Sequence, residues 1–371
     1  MAYFSSSIGP FEQSRLEAVL PCFFPSADRC EKVGCLGAGN INDTYLLEFS
    51  HRAAVVLQRI NAAVFPNPVL VAKNFGVISD HIGLKQHNPD EATVFPRAIP
   101  ETGGKPYHLD EAGGIWRAMD YIEKTASYRI VKTEKQAFEG GKILGRFHHL
   151  LNDLDPGRLY QPLPGFHDLP GYCLSYRSAC SGHRRINSAE LDYCCKAINS
   201  RLKDASILEK NRKLKRISRR VIHGDPKCDN ILFDHHTGAG VALIDLDTVS
   251  SGLLQYDLGD CLRSFCNPAG EKPETIQDVH FDMDMCRQVL RGYRSSGTPL
   301  SGFERALIYQ GVRLLTFELG VRFLTDYLEG DRYFKVSHER DNLDRTMVQI
   351  RLLESIENQQ PAIDSVVAGL K

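Results

Sequence analysis

The sequence lacks the features that mark membrane, secreted and nucleic-acid-binding proteins. It has 45 basic and 46 acidic side chains, with a formal net charge of −1, so no strong positive field attracts nucleic acid or anionic lipid. The N-terminus has neither a basic segment nor an apolar signal segment, and no apolar run is long enough to cross a bilayer. We therefore expect a cytoplasmic protein that acts on small molecules, with no nucleic-acid or membrane partner.

Cysteine patterns for metal binding or disulfide formation are missing too. The 11 cysteines are irregularly spaced, and none of them forms a C-x-x-C pair. Such spacing is typical of reduced thiols and offers no ligand set for zinc. The 371 residues are nevertheless enough for two domains, or for two lobes, with sizeable apolar cores.

The first third of the sequence predicts a small antiparallel sheet and one helix. Short runs rich in β-branched and aromatic residues predict strands over 33–36, 45–49, 53–60, 94–99 and 115–121. The apolar pattern over 68–83 predicts a helix. Together these elements predict a small N-terminal lobe over residues 1–122.

Helices dominate the prediction for residues 123–371. Apolar periodicity and capping signals predict helices from Glu134, from Asn187 to about residue 210, and over 303–328. The prolines and glycines of 155–182 predict a loop or a lid. The predicted fold class is therefore α+β, with a small antiparallel-sheet lobe and a larger, mostly helical lobe over residues 123–371.

The segment 223–247 contains the most informative motif of the chain. His223-Gly224-Asp225 follows a predicted strand, Asn230 comes five residues after Asp225, and Asp245 ends an apolar strand over 241–244. A carboxylate at Asp225 can accept the proton of an attacking hydroxyl and orient it, while an amide and a carboxylate oxygen suit Mg²⁺. The spacing predicts phosphoryl transfer from ATP, with Asp225, Asn230 and Asp245 converging at the terminal phosphate.

Other residues near this motif and in the sheet predict contacts with the nucleotide. Lys227 either reaches the γ-phosphate or faces solvent. The loop with Gly37, Gly39 and Asn42 lies between two predicted strands, where glycines bring backbone N–H groups close to phosphates, although a plain turn is the alternative. Residues 119–122, with Met119 and Tyr121, predict an adenine-facing hinge, although the end of an apolar strand is the alternative.

A polar strip on the predicted helix over 303–328 carries Glu318 and Arg322 at a spacing of four residues. Buried charges need partners. The strip therefore predicts either a structural ion pair between the two side chains or a ligand-binding position.

These motifs, together with Asp257-Leu258-Gly259-Asp260, resemble the aminoglycoside phosphotransferase and choline kinase superfamily over nearly the whole chain. Within it, segments 57–61, 64–66, 244–248 and 322–331 resemble the N-acetylhexosamine 1-kinases. The resemblance implies a bilobal, protein-kinase-like fold, with a nucleotide-binding lobe over 1–122 and a catalytic and acceptor-binding lobe over 123–371. It also implies that segment 257–260 supports the catalytic loop. It also implies residue roles: Asp225 as catalytic base, Asn230 and Asp245 as Mg²⁺ ligands, and Arg322 and Tyr333 as sugar contacts.

The sequence departs from the wider kinase pattern at one ion pair. Kinases have a lysine on the strand that ends near residue 59, and this lysine pairs with a glutamate of the following helix. This chain has Gln58 and Arg59 on that strand, and residues 61–90 contain no glutamate. Arg59 is therefore the candidate for holding the α- and β-phosphates.

We expect an ATP- and Mg²⁺-dependent kinase, monomeric or homodimeric, of the 1-hydroxyl of N-acetylglucosamine or N-acetylgalactosamine. A kinase of another small alcohol, or a nucleotide-binding pseudokinase, is the alternative.

Overall fold

A computed structural model describes residues 3–5, 8–25, 30–36, 41–85, 95–182 and 188–370. They form two compact units. The first unit contains the described residues up to Thr125 together with segments 153–164 and 241–251, and the second contains the remainder. The sequence prediction, in contrast, was a single division after residue 122.

A mostly antiparallel sheet is the main feature of the first unit. Its strands are β1 (Tyr3–Phe4), β2 (Cys30–Cys35), β3 (Asp43–Phe49), β4 (Val55–Ile60), β5 (Ala98–Ile99), β6 (His108–Leu109) and β7 (Ile115–Asp120). They pair in the order β1-β2-β3-β4-β7-β5, with β6 also on β7, and only the short β1 runs parallel to its neighbour. Because β4 and β7 are antiparallel, Gln58 lies directly opposite Arg117.

Two helices cover apolar side chains of this sheet unit. Helix α1 (Pro10–Phe23) buries Leu16 and Val19 in one cluster with Leu47 and Trp116 of the sheet. Helix α2 (Pro68–Gly83) spans the predicted range and packs Val71 and Ala72 against Ile60 and Ile115. The predicted helix over 68–83 and the strands around 45–49 and 53–60 are confirmed. Of the predicted strand over 94–99, Ala98–Ile99 is observed, and Val94 lies outside the described residues.

The second unit is mostly helical. Its helices are α3 (Glu134–Leu150), α4 (Leu169–Gly182), α5 (Ala189–Asn199), α6 (Ile207–Lys213), α7 (Leu254–Phe265), α8 (Met283–Ser295), α9 (Gly302–Ala306), α10 (Ile308–Glu329), α11 (Asp341–Asn358) and α12 (Gln360–Ala368). The remaining short strands of the chain are β8 (Thr125–Ala126), β9 (Arg220–Ile222), β10 (Ile231–Asp234), β11 (Gly240–Leu243) and β12 (Ser250–Gly252). Helix α10 is central, since Phe317, Val321 and Leu324 pack in one core cluster with Ile350 and Leu353 of α11.

Glycines let α3 and α8 approach closely. A Cβ at Gly141 of α3 would lie 2.0 Å from the Val289 carbonyl oxygen, and one at Gly292 of α8 would lie 1.9 Å from the Phe138 oxygen. Both distances are far below van der Waals contact. These positions therefore require glycine for packing.

The structure differs from the prediction in three segments: the predicted loop over 155–182, the helix predicted from Asn187 to about residue 210, and the helix predicted over 303–328. The predicted loop over 155–182 contains α4, because Leu169, Cys173 and Tyr176 recur at helical spacing and are buried, and Pro170 lies in the first turn, where its missing N–H costs little. The helix predicted to reach residue 210 ends at Asn199. Asn187, its predicted start, lies outside the described residues, and the side chain of Ser188 accepts the Leu191 N–H as the N-cap.

The single helix predicted over 303–328 is two helices. Ser301 and Glu304 form a capping box that begins the short α9, and α10 begins after Leu307. The predicted fold class, α+β with a small antiparallel sheet and a larger helical part, is confirmed. None of the helices in the described ranges is long and apolar enough to cross a bilayer.

Candidate active site

Three predicted site residues lie together on the loop after β9. The Lys227 ammonium is 2.9 Å from Asp225 Oδ2. Asn230 donates its Nδ2 hydrogens to the Asp225 carbonyl oxygen at 2.8 Å and to Asp225 Oδ2 at 3.2 Å. Gly224 has a φ of 91°, a left-handed conformation that glycine adopts at little cost. The loop therefore holds Asp225 between a cation and an amide.

The surroundings of Asp225 keep its carboxylate ionised. Burial raises the pKa, but the charge and hydrogen bond of Lys227, with smaller contributions from His223 and Arg263, lower it below the usual range for aspartate. A carboxylate with a low pKa is a weak base. Such a group suits phosphoryl transfer, in which the carboxylate mainly orients the attacking hydroxyl.

Two oxygens have the chemistry that a hard divalent cation requires. The NH₂ group of Asn230 donates to Asp225, so the Oδ1 atom is the side-chain atom that can bind a cation. Asp245, in the first unit, follows β11 with a φ of 63°, a left-handed conformation that is uncommon outside glycine and is typical of functional sites. Amide and carboxylate oxygens are ligands that Mg²⁺ prefers.

Asp257 of α7 anchors the backbone of the loop that carries Asp225. It accepts the N–H of His223 at 2.6 Å and that of Gly224 at 2.8 Å. On its other side it contacts His148 Nε2 at 2.8 Å, and both side chains are fully buried. Burial raises the pKa of Asp257, but the hydrogen bond and charge of His148 lower it overall. Sequence reasoning gave Asp257 a supporting role through the family resemblance and did not identify His148.

Two further contacts fix the peptide between Gly224 and Asp225. The Asp225 N–H donates to His223 Nδ1 at 3.2 Å, and His167 Nε2 lies 2.9 Å from the Gly224 carbonyl oxygen. His167 also contacts Glu318 Oε1 at 3.1 Å. His167 was missed from the sequence because nothing in the predicted loop over 155–182 distinguished it.

A second buried network lies in the first unit, next to Asp245. Asp247 forms an ion pair with Arg117 and accepts a hydrogen bond from Asn42 Nδ2 at 2.5 Å. Arg117 also donates to Gln58 Oε1 at 2.8 Å and 3.1 Å. The Asn42 Oδ1 atom accepts the Asn61 N–H at 3.0 Å. Both ends of the Asn42 side chain thus bind the protein, and its assignment to nucleotide binding stays a prediction.

The other predicted nucleotide-binding residues lie in the sheet or outside the described residues. Arg59 is held by Asp43 of the neighbouring strand, at 2.8 Å through its Nε atom. Met119 is buried near the end of β7, and Tyr121 follows this strand with its N–H bonded to the Ala54 carbonyl. Gly37 and Gly39 fall in the segment that is not described.

Arg322 lies among four aromatic rings in the second unit, a set that we call the Arg322 cluster. Its guanidinium carbon is 5.1 to 5.8 Å from the ring centroids of Phe166, Tyr172, Tyr333 and Phe334. The predicted pairing with Glu318 is a long contact of 3.9 Å, since the nearer partner of Glu318 is His167. Tyr333 is 61% exposed, so the cluster is open to solvent on its side.

The segment after α10 is shaped so that Tyr333 and Phe334 reach Arg322. Gly330 ends the helix with a φ of 93°, which reverses the chain. Asp326 Oδ1 then accepts the N–H groups of Arg332 and Tyr333 at 2.8 Å, and its Oδ2 accepts that of Phe334 at 2.9 Å. A buried carboxylate on the helix therefore fixes the aromatic half of the cluster.

Comparisons with known proteins agree with this architecture. Solved structures with similar folds include an aminoglycoside phosphotransferase from Alicyclobacillus acidocaldarius, 13% identical with a TM-score of 0.66 over 95% of this chain and 96% of that chain. A choline kinase from Cryptosporidium parvum is 12% identical, with a TM-score of 0.62 over 96% and 97% of the two chains. An amicoumacin kinase solved with AMP-PNP and Ca²⁺ is 14% identical, with a TM-score of 0.61 over 93% and 94%.

Identities this low establish the shared fold alone. A model of the phosphotransferase enzyme family, however, matches residues 35–287, a range that includes the catalytic loop and Asp245. Because this match covers more than half of the chain, the protein belongs to the phosphotransferase enzyme family.

Proposed function

We propose that the protein transfers the γ-phosphoryl group of ATP to the 1-hydroxyl of an N-acetylhexosamine, N-acetylglucosamine or N-acetylgalactosamine. Family membership supports the phosphoryl transfer. The catalytic loop supports it too, because Asp225, Lys227 and Asn230 form one contact network there. The choice of acceptor depends on the Arg322 cluster.

In this proposal each residue of the loop has a chemical task. Asp225 accepts a hydrogen bond from the acceptor hydroxyl, orients it toward the γ-phosphorus and takes its proton as the new bond forms. Lys227 offers a positive charge to the transferred group. Asn230 and Asp245 would hold Mg²⁺ through side-chain oxygens, and the ion, when bound, neutralises charge on the β- and γ-phosphates.

The nucleotide assignments follow from the sequence. Gly37 and Gly39 would provide backbone N–H groups to the phosphates, and Asn42 would complete their loop. Arg59 would contact the α- and β-phosphates, with Asp43 holding its guanidinium in place. Met119 and Tyr121 would face the adenine ring.

The single observation that favours a sugar is that Arg322 lies among the aromatic rings of the Arg322 cluster. A cage of aromatic rings binds cationic acceptors such as choline when it is empty. Here the protein's own Arg322 lies among the rings, so a second cation would meet like charge. A guanidinium instead donates hydrogen bonds to hydroxyl and carbonyl oxygens. An acceptor rich in neutral oxygens, as an N-acetylated sugar is, fits these donors, with Glu318 and Tyr333 as further contacts.

A kinase of another small alcohol is the second candidate. The solved structures with similar folds include a choline kinase, an amicoumacin kinase and an aminopropanol kinase, and each of these proteins is named for a different acceptor. An acceptor of this kind carries an amine or a larger scaffold. The fold alone does not separate these reactions, so the acceptor must be tested directly.

The test is an acceptor panel with a blocked-hydroxyl control. Purified protein receives ATP, Mg²⁺ and one acceptor: N-acetylglucosamine, N-acetylgalactosamine, their 1-O-methyl glycosides, choline, aminopropanol or an aminoglycoside. We expect ADP release with the free amino sugars, none with the methyl glycosides, and a sugar 1-phosphate signal in ³¹P NMR. Turnover with the methyl glycosides would move the reaction to another hydroxyl, and turnover only with amines would overturn the proposal.

The role of Arg322 has its own matched control. Arg322→Gln removes the charged donors and should lower kcat/KM for the sugar roughly 10- to 150-fold, the equivalent of losing about 1.5–3 kcal/mol of charged hydrogen bonding. Arg351→Gln is the control, since Arg351 also lies over a ring, Tyr193 at 5.6 Å, and is half exposed. Equal effects of the two substitutions would contradict the assignment.

A further inference from the structure

His167 has an unusual backbone and an unusual position. Its φ is 59°, in the left-handed region that costs a non-glycine residue free energy. The side chain is nearly fully buried, and its ring stacks on Tyr256 with centroids 4.9 Å apart. A strained backbone that delivers a buried polar ring to the loop carrying Asp225 suggests a function for that ring.

The two hydrogen-bond partners of the His167 ring determine its protonation. Nε2 lies 2.9 Å from the Gly224 carbonyl oxygen, which can only accept, so Nε2 carries a hydrogen. Nδ1 lies 3.1 Å from Glu318 Oε1, which also accepts when the carboxylate is ionised. A neutral imidazole has one donor nitrogen, whereas this environment calls for two. The arrangement therefore fits an imidazolium between a carboxylate and a peptide carbonyl.

The charged groups around the ring favour the same state. Burial lowers the pKa of His167, but the Glu318 carboxylate, the hydrogen bonds to Glu318 and Gly224, and the negative charge of Asp260 raise it above the usual value. Glu209 and the Tyr256 hydroxyl border the same small cavity as His167 and Glu318. The Arg322 guanidinium is a second cation near the same carboxylate oxygen, 3.9 Å from Glu318 Oε1.

We propose that His167 is a positioning residue whose protonated ring clamps the Gly224 carbonyl and thereby fixes the peptide that carries Asp225. The N–H of that peptide is held by His223 Nδ1 and its carbonyl by His167, so rotation of the peptide plane is blocked at both ends. Glu318 holds the ring and its charge. The inference rests on Asp225 as the reacting carboxylate and is independent of which acceptor is used.

The proposal predicts a specific change in rate. His167→Gln keeps one donor but loses the charge and the second hydrogen bond, and it should lower kcat roughly 10- to 100-fold, the effect of a small misplacement of a reacting group. KM for ATP should change little. His280→Gln is the control, since His280 is exposed and also contacts a backbone carbonyl, that of Asp278 at 2.7 Å.

The pH dependence distinguishes a clamp from ordinary packing. In the wild type, kcat should fall as pH rises through the pKa of His167, because the second donor is lost. Glu318→Gln removes the attraction that raises this pKa, so the fall should move to lower pH. In His167→Gln the rate should be low without this alkaline step. A packing role predicts the same pH profile in all three proteins.

A spectroscopic measurement decides the protonation state without relying on activity. In ¹⁵N-histidine-labelled protein at pH 7, both ring nitrogens of His167 should have imidazolium shifts, and the signal should be absent in His167→Gln. If that variant fails to fold, the shift of the same signal in Glu318→Gln identifies it. A neutral His167 ring at pH 7 would overturn the clamp. The proposed function itself would be overturned by a different result, an Asp225→Asn variant with the activity of the wild type.

Discussion

Two buried aspartates, Asp257 in the second unit and Asp247 in the first, fix segments that carry proposed catalytic residues, and their partners differ. Asp257 accepts backbone N–H groups of His223 and Gly224, and His148 is its side-chain partner. Asp247 is held by the side chains of Asn42 and Arg117. Both carboxylates are almost fully buried.

The difference shows what each segment demands of the sequence. Every residue except proline has a backbone N–H, so the loop that Asp257 anchors needs a conformation more than particular side chains. The Asp247 network needs an amide at position 42, a guanidinium at 117 and an amide at 58. We therefore expect the second unit to be sensitive to the loss of the aspartate itself, and the first unit to the loss of its partners.

The largest effect should come from the residue that the Asp257 network positions. Asp225→Asn removes the acceptor of the hydroxyl proton while the anchoring contacts of the loop backbone stay in place. Steady-state kinetics should show kcat lower by about 10²- to 10⁴-fold, with ATP affinity retained. An unchanged rate would remove the assignment of Asp225 as the catalytic base.

The next largest effect should be on stability. Asp257→Asn places an NH₂ group against backbone N–H donors and leaves His148 without its carboxylate. Because one partner of a fully buried charged network is lost, urea unfolding should show a loss of about 3–5 kcal/mol. Asp284→Asn is the control, since Asp284 is 72% exposed and should change the free energy of unfolding by less than about 0.5 kcal/mol. Similar losses in the two variants would contradict the anchoring role.

A smaller loss is expected when the guanidinium of the first network is exchanged. Arg117→Lys keeps the positive charge, but the lysine ammonium lacks the planar guanidinium that contacts both Gln58 and Asp247. We expect about 1.5–3 kcal/mol of lost stability in urea unfolding, the range of hydrogen bonds to charged groups. Arg287→Lys, at a half-exposed ion pair on α8, should have no measurable effect. A stable Arg117→Lys protein would mean that Asn42 alone suffices to hold Asp247.

Much of the fold could be predicted because its signals are local. The helix over Pro68–Gly83 and strands β3 and β4 of the first unit follow from periodicity and turn residues within short windows. Helix α4 was missed because Pro170 and Gly171 suggested a loop. The helical spacing of Leu169, Cys173 and Tyr176, which are buried in the structure, was nevertheless present in the sequence. Turn residues at the start of a helix are ambiguous, since proline is favoured in a first turn.

The site was predictable only where its residues are close in sequence. Asp225, Lys227 and Asn230 belong to one short motif, and the structure brings them into contact. The residues that hold this loop in place are distant in sequence from their partners. His167 is 57 residues from Gly224, and His148 is 109 residues from Asp257. No spacing rule connects such pairs, because the packing of segments distant in sequence brings them together.

The smallest effect should be a shift in pH dependence within the catalytic loop. Lys227→Met removes the charge that lowers the pKa of Asp225, so burial then dominates and the pKa rises. Activity requires the ionised carboxylate and is lost as pH falls through this pKa. The acid limb of kcat should therefore move to higher pH, with a modest loss at pH 8 if Lys227 also contacts the transferred phosphate. Lys32→Met, at a half-exposed pair with Glu48, should leave the limb in place. An acid limb that does not move would mean that Lys227 does not control the ionisation of Asp225, and that the loop backbone and Asn230 suffice to hold the carboxylate.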